Sequence, residues 1–303
     1  MEFRITILGS SSALPTSTRY PSAHVLKAHE RFFLIDCGEG TQMQLRKNHI
    51  RLSRINDIFI SHLHGDHIFG LYGLLSTLNL TGRESPLRLY APEAFGTMLF
   101  SHLGDFDIML RYEIEFIPLG GKDPKRIYED KHITVSTIPL VHRIPAYGFL
   151  FREKEKPRNI RKEIIPLYNI PLAAIPAIKR GEDFITREGT LIPNSDLTID
   201  PPETRSYAYC SDTSYFKRLS AMVKGVDLLY HESTFASDNS ELAAISGHST
   251  AADAATVARD AGAEQLIIGH FSARYRETSQ LLMEAKSIFN NTIAAEDGLT
   301  ISI

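Results

Sequence analysis

Ser61-His62-Leu63-His64-Gly65-Asp66-His67 follows directly on the apolar run Ile58-Phe59-Ile60, and the rest of the chain is best read outward from it. Neutral imidazole nitrogens and carboxylate oxygens are the donors that Zn²⁺ prefers, and no other short segment offers so many together. His62 and His64 project to one side only if the backbone is extended there, whereas the adjacent Asp66 and His67 must diverge. Two metal positions suit that geometry better than one. A His-rich solvated loop, or core histidines satisfied by hydrogen bonds, is the alternative for any one of these residues; it fits a cluster at a strand end poorly.

Beyond the motif, Ile68, Phe69, Leu71, Leu74, Leu75 and Leu78 recur at helical spacing. The candidate metal loop therefore lies between the carboxyl end of a strand and the amino end of a helix over 66–80, a usual place for sites in α/β folds. Upstream, Phe3 to Leu8 alternates as a strand and closes on Gly9-Ser10-Ser11-Ser12. Strands are predicted at 24–28 and 31–35, the second running into Asp36-Cys37-Gly38-Glu39-Gly40-Thr41-Gln42 and a helix through Lys47. A carboxylate placed like Asp36 either collects backbone hydrogen bonds or orients a metal ligand from behind, and the two roles are compatible.

Downstream, the pattern predicts a strand at 87–90, a helix over 92–100, a strand at 112–118, a hairpin of 126–129 with 132–139, and a strand at 146–151, with His142 isolated in the last loop. Strands at 207–210, 226–230 and 265–268 follow, with an Ala-rich helix over 251–261 capped by Ser249 or Thr250, then a final helix and two short strands. Strand after strand ends in a ligand-type residue: Asp36, His62, Asp212, His231, His270. In an open sheet covered by helices such ends gather along one edge. A two-metal site needs roughly seven protein ligands; His62, His64, Asp66 and His67 supply four, and Asp212, His142 and His270 are the natural remainder. His24, His29, His49, His102 and His132 lack such a context and are expected at the surface or in hydrogen bonds.

A length of 303 residues allows one large α/β core as readily as two small ones, and 43% hydrophobic residues is ample for a buried sheet. The net charge of −3 excludes a polyanion binder that works by overall charge, so nucleic-acid contact has to come from local basic patches. The start, Met1 to Ile7, reads as a strand and not as a signal peptide, and no apolar run approaches the ~18 residues of a membrane span. Cys37 and Cys210 stand far apart, which indicates neither a disulfide scaffold nor a Cys-based zinc site. A soluble, reducing, cytoplasmic setting is the expectation.

From 152 to 205 the texture changes: prolines recur, periodicity is poor and charges bunch. Within 152–162, Arg152, Lys154, Lys156, Arg158, Arg161 and Lys162 outnumber Glu153 and Glu155 by four. A segment this long with little regular structure is either functional or a solvated surface insertion.

These residues bring a family into view. Leu14-Pro15-Thr16, the Asp36 to Gln42 segment, Ser61 to Leu71, His142 with Pro145-Ala146-Tyr147-Gly148, Ser211-Asp212-Thr213, Gly247-His248-Ser249-Thr250 and Gly269-His270-Phe271-Ser272-Ala273-Arg274-Tyr275 stand in the order found in ribonuclease Z, the tRNA 3′-processing endonucleases of the metallo-β-lactamase superfamily. The chain resembles that family over nearly its whole length. The resemblance implies an α/β fold of the metallo-β-lactamase αββα sandwich type, a single domain over 1–303 with 152–205 as an inserted tRNA-binding arm, and two Zn²⁺ per subunit. One zinc would be held by His62, His64 and His142, the other by Asp66, His67 and His270, with Asp212 bridging. Asp66 would orient the attacking hydroxide, while His248, paired with Glu232, would protonate the leaving 3′ oxygen. Arg274 would hold a phosphate, a surface salt bridge being its plainer alternative. Arg158, Arg161, Lys162, Lys179 and Arg180 would contact the backbone of precursor tRNA, and the arm of each protomer of a homodimer would serve its partner. Two departures from the family pattern are Ile170-Pro171-Leu172-Ala173-Ala174-Ile175-Pro176, where many members carry a Gly-Pro-rich tip, and Ser233, where the family has alanine. A binuclear hydrolase of small substrates, or a tRNA-binding scaffold with structural zinc, would share parts of this pattern.

Overall fold

The computed structural model describes residues 2–303 and divides them into two compact units, one running to Arg152 and resuming over Arg205–Ile303, the other Glu153–Thr204. In the larger unit, the first sheet holds β1 (Phe3–Gly9), β2 (Ala23–Ala28), β3 (Arg31–Ile35), β4 (Ile55–Phe59), β5 (Leu87–Pro92) and β6 (Ile114–Leu119), with β18 (Thr300–Ser302) on the outer edge of β1. The second sheet runs β17 (Thr292–Ala294), β16 (Gln265–Gly269), β15 (Leu228–Glu232), β14 (Ser206–Cys210), β9 (Tyr147–Glu153), β8 (Ile133–Pro139) and β7 (Arg126–Glu129).

Within each sheet one run of strands is parallel: β3 to β6 in the first and β14 to β17 in the second. Parallel neighbours require crossovers, and helices supply them. α1 (Thr41–Lys47), α2 (Gly65–Leu80) and α3 (Ala94–Asp105) connect the first set; α7 (Arg218–Met222), α8 (Ser240–Ser246), α9 (Ala251–Ala261) and α10 (Ser279–Ile288) connect the second.

The layers follow from the period-2 alternation of the strands. Phe33 and Ile35 face inward and Leu34 outward, as do Ile5 and Ile7 against Leu8. Inward residues of both sheets meet in one core, where Phe33 lies 5.5 Å from Phe151 and Phe59 lies 5.3 Å from Phe149, ring centre to ring centre. The outer face of the first sheet packs against α1 to α3, where α2 buries Ile68, Leu71, Leu74, Leu75 and Leu78. On the other side α9 covers β15 and β16, with α7 and α10 against it. The order helix, sheet, sheet, helix is the expected αββα sandwich.

Local chemistry sets the ends. Thr250, one of the two caps anticipated, closes a capping box with Asp253, and Gly262 ends the same helix in the left-handed conformation. α8 was not foreseen, since Ser237-Asp238-Asn239-Ser240 reads as a turn.

Residues 153–204 depart from the expectation of little regular structure. They contain α4 (Ile164–Leu167), α5 (Ile175–Lys179) and α6 (Asn194–Leu197), and two small antiparallel pairs, β10 (Asn159–Ile160) with β13 (Thr198–Ile199) and β11 (Phe184–Ile185) with β12 (Leu191–Ile192). Ile164, Ile170, Ile178, Ile192 and Leu197 form a separate small core. Asn194 ties it internally, its side-chain amide donating to the carbonyls of Ile178 at 2.8 Å and Glu182 at 2.7 Å. Isoleucines this far apart in elements of two to five residues leave no periodic signal. Among the described residues no helix is long and apolar enough to cross a membrane.

Candidate metal centre

The parallel strands carry the candidate ligands to one edge. Asp36 follows β3, His62 follows β4, Asp212 follows β14 and His270 follows β16. Asp36, Asp212 and His270 all adopt positive φ, 57°, 58° and 58°, a left-handed conformation unfavourable for side chains with a Cβ and concentrated at functional sites. His231 is the exception among the strand ends: it lies within β15, fully buried, with Nδ1 against the carbonyl oxygen of Glu232 at 2.7 Å, and joins no ligand group. Glu232, one residue later and on the opposite side of the strand, is the one that reaches the site.

Two groups assemble there. His62, His64, His142 and Asp212 bring ligand atoms within 4.8 Å of one another, as do Asp66, His67 and His270. In the first, His62 Nε2 lies 3.0 Å and His142 Nε2 3.3 Å from His64 Nδ1. His142 is set by its other nitrogen, which donates to the Gly247 carbonyl oxygen at 2.8 Å. Gly247 ends α8 at φ 77°, and a Cβ there would stand 3.0 Å from His142 Nδ1, so glycine is required both by conformation and by the approach of the imidazole. In the second group, Asp36 Oδ2 accepts from His67 Nδ1 at 2.7 Å, and Thr234 Oγ1 accepts from His270 Nδ1 at 2.9 Å. Both Nε2 atoms then point to the same two carboxylates, 3.4 Å from Asp66 Oδ2 and 3.1 Å from Asp212 Oδ1.

The donor set fits metal ions. The Nε2 atoms of His67 and His270 are buried without a hydrogen bond of their own, although each faces two carboxylates. Burial, reinforced by His62 and His142, brings His64 down to about 4, which leaves it neutral with a lone pair to give. For Asp66, burial favours the protonated form, yet His67 beside it holds the carboxyl well below the usual range. His67 is itself drawn upward, against burial, by Asp212, Asp66 and Asp36. Ionised carboxylates in a nearly dry site need positive partners, a part that the raised His67 takes in the bare protein and that metal ions would take over when bound, with imidazoles held at Nδ1 as suitable companion ligands.

His248 lies within the same distance of Asp212 and His270, but its Nδ1 is 2.8 Å from Glu232 Oε1 and its side chain is 14% exposed, against 1–2% for the other two. Burial pulls its ring toward the neutral form; the Glu232 carboxylate outweighs this and lifts it to about 9. Glu232 is fixed in turn by the backbone N–H groups of Thr213 (2.9 Å) and Thr234 (3.2 Å) and by the Thr234 hydroxyl at 2.6 Å.

His64, Asp66, Asp212, His248 and His270 line a cavity of about 600 Å³ together with Phe69, Arg143 and Phe235. Arg274 stacks over the Phe235 ring at 5.2 Å and donates to Asn239 Oδ1 at 3.0 Å; among the described residues no carboxylate pairs with it. The remaining basic candidates lie in the smaller unit. There Arg158 pairs with Asp200 at 2.6 Å and Arg180 with Glu182 at 3.0 Å, whereas Arg161, Lys162 and Lys179 have no carboxylate partner among the described residues. Lys156, Arg158, Lys179 and Arg180 line a separate cavity of about 960 Å³. Of the histidines set aside, His24 is buried with Nδ1 2.9 Å from the Tyr207 hydroxyl, and His102 meets the Tyr72 hydroxyl at 2.8 Å.

Thr234 and Tyr209 were not singled out in the sequence. Thr234 links His270 to Glu232, and Tyr209 donates to Asp36 Oδ2 at 2.7 Å. The available signal was weak: two tyrosines alternating in a fully buried strand, whose hydroxyls must find partners inside.

Two family models match parts of the chain, the Anti-Pycsar protein Apyc1 model over residues 3–108 and the beta-lactamase superfamily domain model over residues 165–271. Among curated proteins, the chain is 46% identical to a ribonuclease Z of Bacteroides thetaiotaomicron, covering 100% of this chain and 96% of that protein. It is 47% identical to a ribonuclease Z of Bacteroides fragilis, covering 100% and 99%. Among solved structures, human tRNase Z, short form, superposes with a TM-score of 0.74 at 26% identity over 99% of each chain.

Proposed function

Because the chain belongs to the ribonuclease Z family and is a tRNA 3′-processing endoribonuclease, we propose that it cuts precursor tRNA on the 3′ side of the discriminator nucleotide, leaving a 3′-hydroxyl on the tRNA and a 5′-phosphate on the trailer. The observation that carries this reading is one cavity lined by members of both ligand groups, His64, Asp66, Asp212 and His270, and by His248, whose ring is paired with Glu232 behind it. Two zinc ions, one with His62, His64 and His142, the other with Asp66, His67 and His270, and Asp212 between them, would supply Lewis acidity toward the phosphodiester and lower the pKa of water at the site.

The chain's own groups divide the proton work. Asp66, held ionised, orients the attacking water and takes its proton. His248 gives a proton to the departing 3′ oxygen, and Glu232 fixes the ring by accepting from Nδ1, which leaves the other nitrogen toward the cavity. Arg274, laid on Phe235 and unpaired with any described carboxylate, holds a phosphate of the RNA. Arg161, Lys162 and Lys179, with Arg158 and Arg180 beside their acidic partners, contact the tRNA backbone through 153–204 and recognise a shape more than a sequence. The protein works as a homodimer in which each inserted unit serves the partner's site, in the cytoplasm where precursor tRNA is its substrate.

The test is incubation of the zinc-loaded protein with a precursor tRNA bearing a 3′ trailer, followed by analysis of both product ends. One cut after the discriminator with a 3′-hydroxyl on the tRNA is expected. An intact precursor, under conditions where a control nuclease cuts it, would refute the reading.

A further inference from the structure

Tyr209 belongs to β14, the strand that leads to Asp212, yet its hydroxyl ends among residues of the other sheet. Tyr207 and Tyr209 alternate onto the same face of that strand, between the sheets, and both are wholly buried. The Tyr207 hydroxyl meets His24 Nδ1 at 2.9 Å, whereas that of Tyr209 donates to Asp36 Oδ2 at 2.7 Å. The same oxygen accepts from Ser61 Oγ at 2.8 Å and from His67 Nδ1 at 2.7 Å, while Oδ1 accepts the Ser61 backbone N–H at 2.7 Å. Both oxygens of the carboxylate are thus engaged, by the ligand loop through Ser61, by the second sheet through Tyr209, and by α2 through His67.

We propose that Tyr209 is a positioning residue for the metal centre: acting through Asp36, it fixes the ring plane and tautomer of His67 and so sets how tightly the Asp66, His67 and His270 group holds its ion. Asp36 sits at a positive φ that only its surroundings can maintain. Ser61 adjoins His62 within the ligand loop, so although its carbonyl oxygen accepts from Tyr147 N at 3.0 Å it cannot hold the carboxylate independently of that loop. Tyr209 can. Its ring is stacked on Tyr230 at 5.2 Å with 10° between the planes, in the middle of the second sheet. Through this hydroxyl and the Asp36 carboxylate the packing of one sheet against the other reaches a ligand imidazole. Groups that orient a ligating histidine from behind typically change metal affinity ~10–100-fold when removed.

The inference rests on the metal reading of the site given above, and the experiment separates the two. Tyr209→Phe keeps the ring and removes one hydroxyl; Tyr207→Phe removes the neighbouring hydroxyl, which serves His24. Zinc affinity of the full chain is measured by competition with a chromophoric chelator, with circular dichroism giving the folded fraction to which each affinity is referred. In Tyr209→Phe one zinc-binding step is expected to weaken ~10–100-fold while the other keeps its affinity, and Tyr207→Phe is expected to match the wild type in both. Wild-type affinity in both steps of Tyr209→Phe would overturn the inference. So would an equal loss in Tyr207→Phe, or loss of both steps together, either of which signals general loosening of the sandwich. A wild-type chain that takes up no zinc would overturn the metal reading itself, and the inference with it.

Discussion

At the residue scale, the division of labour between His248 and Glu232 has a signed consequence for pH. Burial lowers the His248 pKa and Glu232 raises it further than burial lowers it, to about 9. In the proposed role of proton donor His248 must be charged, so activity is expected below its pKa and is expected to be lost as pH rises through it. Metal ions held by the neighbouring groups would move that limb toward lower pH without changing its direction. Glu232→Gln removes the carboxylate that lifts the ring, and the alkaline limb of kcat against pH is expected to shift to lower pH; an unmoved limb would assign the titration elsewhere. His248→Ala is expected to lower kcat by roughly 10²–10⁴-fold while precursor binding changes little, measured by single-turnover cleavage and a binding isotherm. The gathering of these imidazoles and carboxylates into candidate ligand groups was legible in the sequence, since such residues crowded at strand ends have few other uses. Thr234 and Tyr209 were not, because a hydroxyl is interpretable only once its partner, 36 residues away for the Thr234–His270 contact and 173 for Tyr209–Asp36, is known.

At the element scale, the amino end of α2 carries Asp66 and His67 and is clamped to the turn after β3. Cys37 N donates to the His67 carbonyl oxygen at 2.8 Å, and Gly70 N donates to the Cys37 carbonyl oxygen at 2.9 Å. A Cβ on Gly70 would stand 2.0 Å from the Gly38 carbonyl oxygen, a backbone atom that cannot yield without moving the turn. Gly70→Ala is therefore expected to destabilise the protein by about 1–3 kcal/mol and to reduce its bound metal, as α2 is pushed off the turn. Gly73→Ala on the same helix meets only the Gln42 amide nitrogen at 3.2 Å, and is expected to be neutral or to stabilise by up to ~1 kcal/mol through helix propensity. Thermal melts and metal analysis of both variants check this, and equal behaviour of the two would remove the clamp from the account. Strands and long helices of the sandwich could be read from period and apolar runs. α8 and the elements of 153–204 could not, because segments of two to seven residues, rich in serine or proline, carry too little pattern to distinguish a folded turn from a loop.

At the scale of the molecule, two sheets each bring a parallel set of strands to one edge, and the candidate ligand groups gather where those ends meet. The layer order could be expected from the family resemblance, beyond what the alternation of strands and helices alone gives; the separate core of 153–204 could not. If that unit serves RNA and the sandwich serves chemistry, replacing 153–204 by a short linker is expected to abolish cleavage of precursor tRNA while leaving hydrolysis of a small phosphodiester such as bis(p-nitrophenyl) phosphate. Loss of both activities in a chain that still folds by circular dichroism would contradict the division. The most direct test of the whole account is a zinc titration of the chelator-stripped protein, following bound metal and cleavage of one precursor tRNA in the same samples. Cleavage after the discriminator is predicted to be absent in the stripped protein and to rise as both ligand groups fill; cleavage undiminished without metal, or none at full occupancy, would contradict it.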